Sequence, residues 1–319
     1  MTVRSCVVFV ICLVAAGPAG AQKNWVPSRT PDGQPDMQGT WTGFTLTPFE
    51  RSPALAGKAF FTEAEAAEIE KRAAQTRDQN IARPGDVGTD TWGEPGTKIS
   101  ATRQTSLVVD PPDGRVPVTR EAEEQHAFQL AHNADSWEYM SLWDRCVTRG
   151  VPGGMLPANG SNAYQIIQTP GYVVIVYEMI HEAHIVPLVT EHIRAGVNQL
   201  NGDSIGRWEG NTLIVDTTNY NGHGQIATSA YAGRLKAMHE TTAMRAVERF
   251  TRASEDTLSY EVTIEDGGVY SRPWKVSMPL DRDDSFRMFE YACHEGNEAV
   301  TLTLRGGRAA DQAAAKSSK

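Results

Sequence analysis

The chain is short of cysteine, has no basic excess and, beyond its first residues, no long apolar run, and each shortage removes a class of protein. Lys and Arg number 30 against 39 Asp and Glu, a formal net charge of −9. The basic face that a nucleic-acid binder turns toward phosphates is therefore missing. No later run approaches the roughly 20 apolar residues needed to cross a bilayer as a helix, so no membrane span is expected. Gly-x-Ser-x-Gly is absent, and no Walker or dinucleotide glycine pattern follows a strand. Bare acid–base groups, with no cofactor, are thus the expected chemistry. Global disorder is excluded as well, because 40% of the 319 residues are hydrophobic and can bury a sizeable core.

What is present begins with an address. Arg4 precedes an apolar run from Cys6 to Ala16, and Gly17-Pro18-Ala19-Gly20-Ala21 follows. A basic start, a short apolar stretch and an Ala-x-Ala end predict a secretory signal peptide over residues 1–21 and a periplasmic or secreted bacterial protein. Of the four cysteines, Cys6 and Cys12 would leave with that segment, so Cys146 and Cys293 remain. Two cysteines in an exported chain suggest one disulfide, with a pair of buried thiols as the alternative.

Residues 22–58 are rich in Pro, Gly and turn signals and read as an extended arm with one short strand near Gly39-Thr40-Trp41-Thr42. Thr62 with Glu65 three residues on forms a capping box, predicting a mostly exposed helix over Glu63–Arg77. Ser106 to Val109 reads as a strand, and residues 119–145 as helix in two pieces broken around His132–Asp135. After Pro157 the pattern changes to short alternating runs separated by turn residues, the signature of successive hairpins. Strands are expected over Ala163–Gln168, Tyr172–Ile180, Ile185–Val189, Gly206–Trp208, Thr212–Thr218, Met244–Arg252, Thr257–Glu265, Val269–Leu280, Phe286–Ala292 and Val300–Leu304. A long meander removes its edges by curling closed. The expected architecture is therefore mainly β with α elaboration: an antiparallel up-and-down, lipocalin-like barrel over residues 158–306. The arm and helices of residues 22–157 pack on it, and residues 307–319 form a flexible tail.

Three stretches carry groups able to do chemistry. The first runs from Tyr177 through Glu178 and His181 to His184. His181-x-x-His184 would be a metal pair only on a helix, and the apolar run before it argues for strand, where the two point apart. No metal is expected. The second, Glu290 to Asn297, holds Glu290, Cys293, His294 and Glu295. A carboxylate beside an imidazole fixes its tautomer and supports the imidazolium, the composition of a general acid–base pair. The third spans Asp203, Arg207 and Asn219, where Arg207 could hold an oxyanion or serve a plain salt bridge. Asn219 leads into Asn221-Gly222-His223-Gly224, which reads as a mouth loop. Glu248 and Arg249 lie on opposite faces of their strand, so one side chain can point inward.

The chain resembles a widespread, mostly uncharacterised family of exported bacterial proteins of about 300 residues. The resemblance runs from Pro35 to Val300 and rests on separated motifs. Among them are Gly39-x-Trp41, Ser106-Leu107-Val108-Val109-Asp110-Pro111-Pro112-Asp113-Gly114-Arg115, Arg145-Cys146, Gln168-Thr169-Pro170-Gly171-Tyr172 and Trp208-Glu209-Gly210. Pro35-Asp36, Gly150, Gly202-Asp203-Ser204, Asp216-Thr217-Thr218-Asn219, Glu248-Arg249-Phe250 and Tyr291-Ala292-Cys293-His294-Glu295-Gly296-Asn297 complete it. The family carries Arg where this chain has His184. The resemblance implies export and pairing of the two cysteines, and no reaction.

The residues themselves point to an enzyme acting by acid–base chemistry on a small, largely apolar molecule, of lyase, isomerase, hydratase or hydrolase type. His181 and His294 would exchange protons, and Glu178, Glu290 or Glu295 would orient them. Tyr177, Asp203, Arg207 and Asn219 would bind substrate. The alternative is a non-catalytic periplasmic carrier of an apolar ligand.

Overall fold

The computed structural model describes residues 25–81, 96–158, 163–194, 196–227 and 230–317; the segment read as a signal peptide lies outside the described residues. In chain order the strands are β1 (Gly39–Thr42), β2 (Val108–Asp110), β3 (Ala163–Thr169), β4 (Tyr172–Tyr177), β5 (Ala183–Pro187), β6 (Asp203–Glu209), β7 (Thr212–Thr218), β8 (Gln225–Ala227), β9 (Met238–His239), β10 (Arg245–Arg252), β11 (Thr257–Glu265) and β12 (Trp274–Arg282). Three helices join them: α1 (Glu63–Ile81), α2 (Arg120–Ala131) and α3 (Ala299–Ser317).

Nine strands form a nearly closed antiparallel barrel in the order β5-β4-β3-β1-β12-β11-β10-β7-β6. The neighbours are sequential except at two places: β7 pairs with β10 while β8 and β9 form a separate ribbon, and β1, from the N-terminal arm, enters between β12 and β3 and joins the two ends of the meander. β2 pairs with the other end of β12. Local sequence makes the hairpins: Gly171 takes φ +82° in the β3–β4 turn, a left-handed conformation that costs glycine little. Strands β10, β11 and β12 bury every second residue, so one face of each lines the barrel, as a period of two requires.

That inner face is filled by large side chains. Trp41, Tyr164, Tyr177, Phe250, Tyr260 and Trp274 are all fully buried. Trp41 is fixed by its Nε1 donating to the Met37 carbonyl at 2.9 Å, which anchors the arm inside the closure. The Arg252 guanidinium lies 5.1 Å from the Trp41 ring centroid, a cation–π contact. The capping box at α1 forms as the spacing predicts: Glu65 N–H donates to Thr62 Oγ1 at 3.2 Å and Thr62 N–H to Glu65 Oε2 at 2.8 Å. Thr119 caps α2 by accepting from Ala122 N–H at 3.3 Å.

The structure corrects the C-terminal strands. Phe286–Ala292 forms no strand, and Val300–Leu304 lies inside α3. The barrel strands therefore end at Arg282. Apolar residues at Phe286, Met288 and Ala292 follow β12, whose edge there is already held by β1. The disulfide expected from the cysteine count is present between Cys146 and Cys293. It ties the irregular stretch after β12 to the segment that follows α2. The β4 strand also stops at Tyr177 rather than Ile180. Ile180 and His181 take φ +63° and +39°, and this reversal places His181 in a turn and His184 in β5.

Candidate functional site

The first two predicted stretches do meet, although not as a catalytic pair. His181 Nδ1 lies 2.9 Å from the Tyr291 carbonyl, and the Phe289 N–H donates to Glu178 Oε1 at 3.2 Å. Together with the disulfide, these bonds strap residues 289–297 across the β4–β5 turn. Glu178 is buried beneath the strap, whereas Glu290, His294 and Glu295 are exposed. Among the described residues no hydrogen bond joins His294 to His181 or to a carboxylate side chain. In the third stretch, Asp203 accepts from Ile193 N–H at 2.9 Å and lies 2.9 Å from His192 Nδ1, so it pins the loop after β5. Arg207 is exposed and pairs with Glu209 at 2.9 Å. Asn219 takes φ +57° in a turn, and its carbonyl accepts from Gln199 N–H at 2.9 Å.

Inside the barrel the polar groups form two small networks. The Tyr177 hydroxyl and His184 Nδ1 are 3.3 Å apart, His184 Nε2 and Ser204 Oγ 2.8 Å, and Ser204 Oγ and Thr217 Oγ1 2.8 Å. This chain crosses from β4 to β7 over the seam between β5 and β6, where no ladder joins the two strands among the described residues. Side chains do there what main-chain pairing does elsewhere. Burial holds His184 down at about 4, so its imidazole is neutral and both nitrogens serve the chain. Of the Glu248-Arg249 pair, Glu248 points inward with 0% exposure. The Tyr260 hydroxyl donates to its Oε1 at 3.0 Å. Its Oε2 has no partner among the described residues, and burial pushes the carboxyl up to about 7.

Solvent reaches a group of ionisable residues elsewhere, in a cleft of about 360 Å³ between α2 and the β8–β9 ribbon. Helix α2 presents Gln125, Phe128 and Gln129 to it, and the turn after α2 presents Glu138 and Tyr139. The far wall is the loop Gly222-His223-Gly224 with Gln225 of β8 and His239 of β9. The loop read as a mouth supplies one wall of this cleft, which lies outside the barrel. Gln225 is held by its Oε1 accepting from Leu142 N–H at 2.9 Å, which ties the ribbon to the chain after α2.

His239 is half-buried in this wall, and its Nδ1 has no partner among the described residues. Burial lowers its pKa, the nearby His126 adds to the drop, and Asp266 opposes it. Behind the wall stands Glu240, 3% exposed, with Oε1 unpartnered among the described residues. Burial, helped by Asp266, raises its carboxyl to about 8, because a carboxylate loses more hydration than a carboxylic acid on entering a dry site. The Glu240 carboxyl lies against the α-carbon of Gly224, where any β-carbon would collide with it. A side chain at 224 would force the Glu240 carboxyl to shift.

None of the nine residues predicted for catalysis or substrate binding lines the cleft. His239 and Glu240 escaped notice because a two-residue strand gives almost no periodic signal. The only sequence trace was the His-Glu pair beside a buried Met238. Among the described residues no three His, Cys, Asp or Glu side chains converge as metal ligands. Comparison with protein-family models, with curated proteins and with solved structures finds no match.

Proposed function

We propose that the protein is an exported enzyme that transfers protons on a small molecule seated in the cleft between α2 and the β8–β9 ribbon. The observation that supports this most strongly is His239. It is a half-buried imidazole on the cleft wall, and burial lowers its pKa, so it is neutral at pH 7 and able to accept a proton. Glu240 behind it stays largely protonated near neutrality and adds little negative charge that would hold an imidazolium. His223, exposed on its glycine-flanked loop, is the second group able to exchange a proton. Glu138 is the one carboxylate on the wall among the described residues. Glycoside hydrolysis needs a facing pair of carboxylates and is not what this wall offers, so isomerase, lyase or hydratase chemistry fits better. The polar lining favours an amphipathic substrate over the largely apolar one that the sequence suggests. Export is supported by the Cys146–Cys293 disulfide, since oxidised pairs persist mainly outside reducing compartments. A carrier without turnover is the second reading, favoured by the exposed Phe128 at the cleft rim.

The test is a panel of small sugars, hydroxy acids and unsaturated acids followed by ¹H NMR in D₂O for solvent deuterium uptake and product formation. His239→Asn should lower turnover by about 10²–10⁴ with the melting temperature little changed. His294→Ala, at an exposed site on the strap, should leave turnover intact. Turnover that survives His239→Asn but not His294→Ala would move the chemistry to the strap. Binding without turnover by any panel member would favour the carrier.

A further inference from the structure

The cleft has two unlike parts, and their combination points to a class of ligand. On α2, Phe128 is 52% exposed although it lines the cleft. One of its faces is backed by His132, with ring centroids 3.9 Å apart and planes 24° from parallel. The Tyr139 ring meets it edge-on at 5.9 Å. His132 is held in turn by its Nδ1, 2.8 Å from the Phe128 carbonyl. The phenyl ring is thus a supported platform whose other face is open.

Around this platform the lining is polar and almost uncharged. Gln125 and Gln129 present amides, which both donate and accept hydrogen bonds, Gln225 stands in the wall with its Oε1 taken by Leu142 N–H, and among the described residues no Lys or Arg side chain lines the cleft. A phosphate or carboxylate ligand would meet no cation here, with Glu138 nearby. An aromatic ligand would leave the amides facing an apolar surface, which costs their hydration without return. A cyclic polyol suits both parts. Its hydroxyls match donor-and-acceptor amides, and the patch of axial C–H bonds on one side of a pyranose is apolar and lies flat on an aromatic ring.

We infer that the cleft binds a neutral pyranose, stacked on Phe128 and hydrogen-bonded through its hydroxyls to the glutamine amides. A volume near 360 Å³ lies at the small end of ligand sites and suits a mono- or disaccharide unit, either free or ending a longer glycan. This inference rests on the cleft being the functional site, and names its substrate class.

The test is saturation-transfer NMR on the full exported protein with methyl β-glucoside, N-acetylglucosamine, cellobiose and maltose. Benzyl alcohol stands for an aromatic ligand and galacturonate for an anion. Saturable transfer to pyranose C–H protons is expected. Phe128→Ala should weaken it about tenfold, the loss for roughly 50 Å² of apolar contact. Phe128→Trp should retain it, and both variants should melt with the parent. Disaccharides bound more tightly than their monosaccharides would indicate a glycan end. The inference is overturned if no neutral sugar saturates, if Phe128→Ala binds as the parent does, or if benzyl alcohol or galacturonate binds more tightly. The two claims fail separately. A sugar that binds through Phe128 but is never turned over overturns the proton-transfer reading alone. Turnover of a non-sugar that depends on His239 overturns the sugar inference alone.

Discussion

Replacing the buried Glu248 by glutamine should stabilise the protein at pH 8 and have far less effect near pH 5. Glu248 is fully buried in the barrel, with the Tyr260 hydroxyl donating to Oε1 at 3.0 Å and Oε2 unpartnered among the described residues. Burial raises its carboxyl from the ordinary 4.5 to about 7. Because the folded state holds the proton more tightly than the unfolded chain, stability is fully present below pH 4.5. It falls as the pH rises through about 7 and is level above that. The gap between 4.5 and about 7, at about 1.4 kcal/mol per unit, makes the loss about 3 kcal/mol. No solvent discount applies to a side chain with 0% exposure. Glutamine has the shape of the protonated acid and still accepts from Tyr260, so at pH 5, where the loss has only begun, the two proteins should differ by at most about 1 kcal/mol. At pH 8 the parent carries a buried charge and the variant does not. Glu240 contributes a like slope reaching about pH 8, so the informative quantity is the difference between the two proteins. Urea midpoints and slopes from pH 5 to 8, with the disulfide intact, give that difference. Parallel curves, or a Glu248→Gln variant less stable at pH 8, would refute the dry environment assigned to this carboxyl.

Reduction of the Cys146–Cys293 bond, or the double Cys→Ser variant, should cost about 5 kcal/mol in the chain-entropy model for so long a loop. Thermal melts with and without reductant measure it, and an unchanged midpoint would mean that the unfolded chain is not restrained by the link. Gly224→Ala should destabilise by about 1–3 kcal/mol, because the new methyl group meets the Glu240 carboxyl. It should also alter the pH dependence of His239-dependent turnover, and an unchanged melting curve would show that the loop yields freely. Extensive chelation should leave the melting temperature unmoved, since a structural metal contributes folding free energy directly. A fall of many degrees would show that ligands have been overlooked.

Much of the barrel was legible because hairpins are local. Turn residues such as Pro170-Gly171, and strict alternation in Thr257–Glu265, specify strand, turn and facing without reference to the rest of the chain. The same alternation allowed one of Glu248 and Arg249 to face inward, and left its surroundings open. The errors lay where local pattern and tertiary demand part. Phe286–Ala292 has a strand's composition, but the β12 edge beside it is held by β1, and Val300–Leu304 has apolar residues that helix α3 arranges instead. His181 and His184 looked like members of one strand until the left-handed turn at Ile180 separated them.

The candidate site depended still more on tertiary structure. A loop at Asn221–Gly224 could be foreseen from its glycines, but the wall that faces Gly222–Gly224 is α2, about a hundred residues away in sequence. Composition, turn chemistry and alternation were enough to determine an antiparallel meander, and the cysteine count pointed to its one cross-link. Folding alone decided that β1 completes the barrel, that β5 and β6 are bridged by side chains, and that His239 faces a cleft with Glu240 held neutral behind it. The physical reason is range. Backbone conformation and strand facing are set by neighbours in sequence, whereas the desolvation that shifts a pKa and the convergence that makes a cleft depend on residues brought together only when the chain closes.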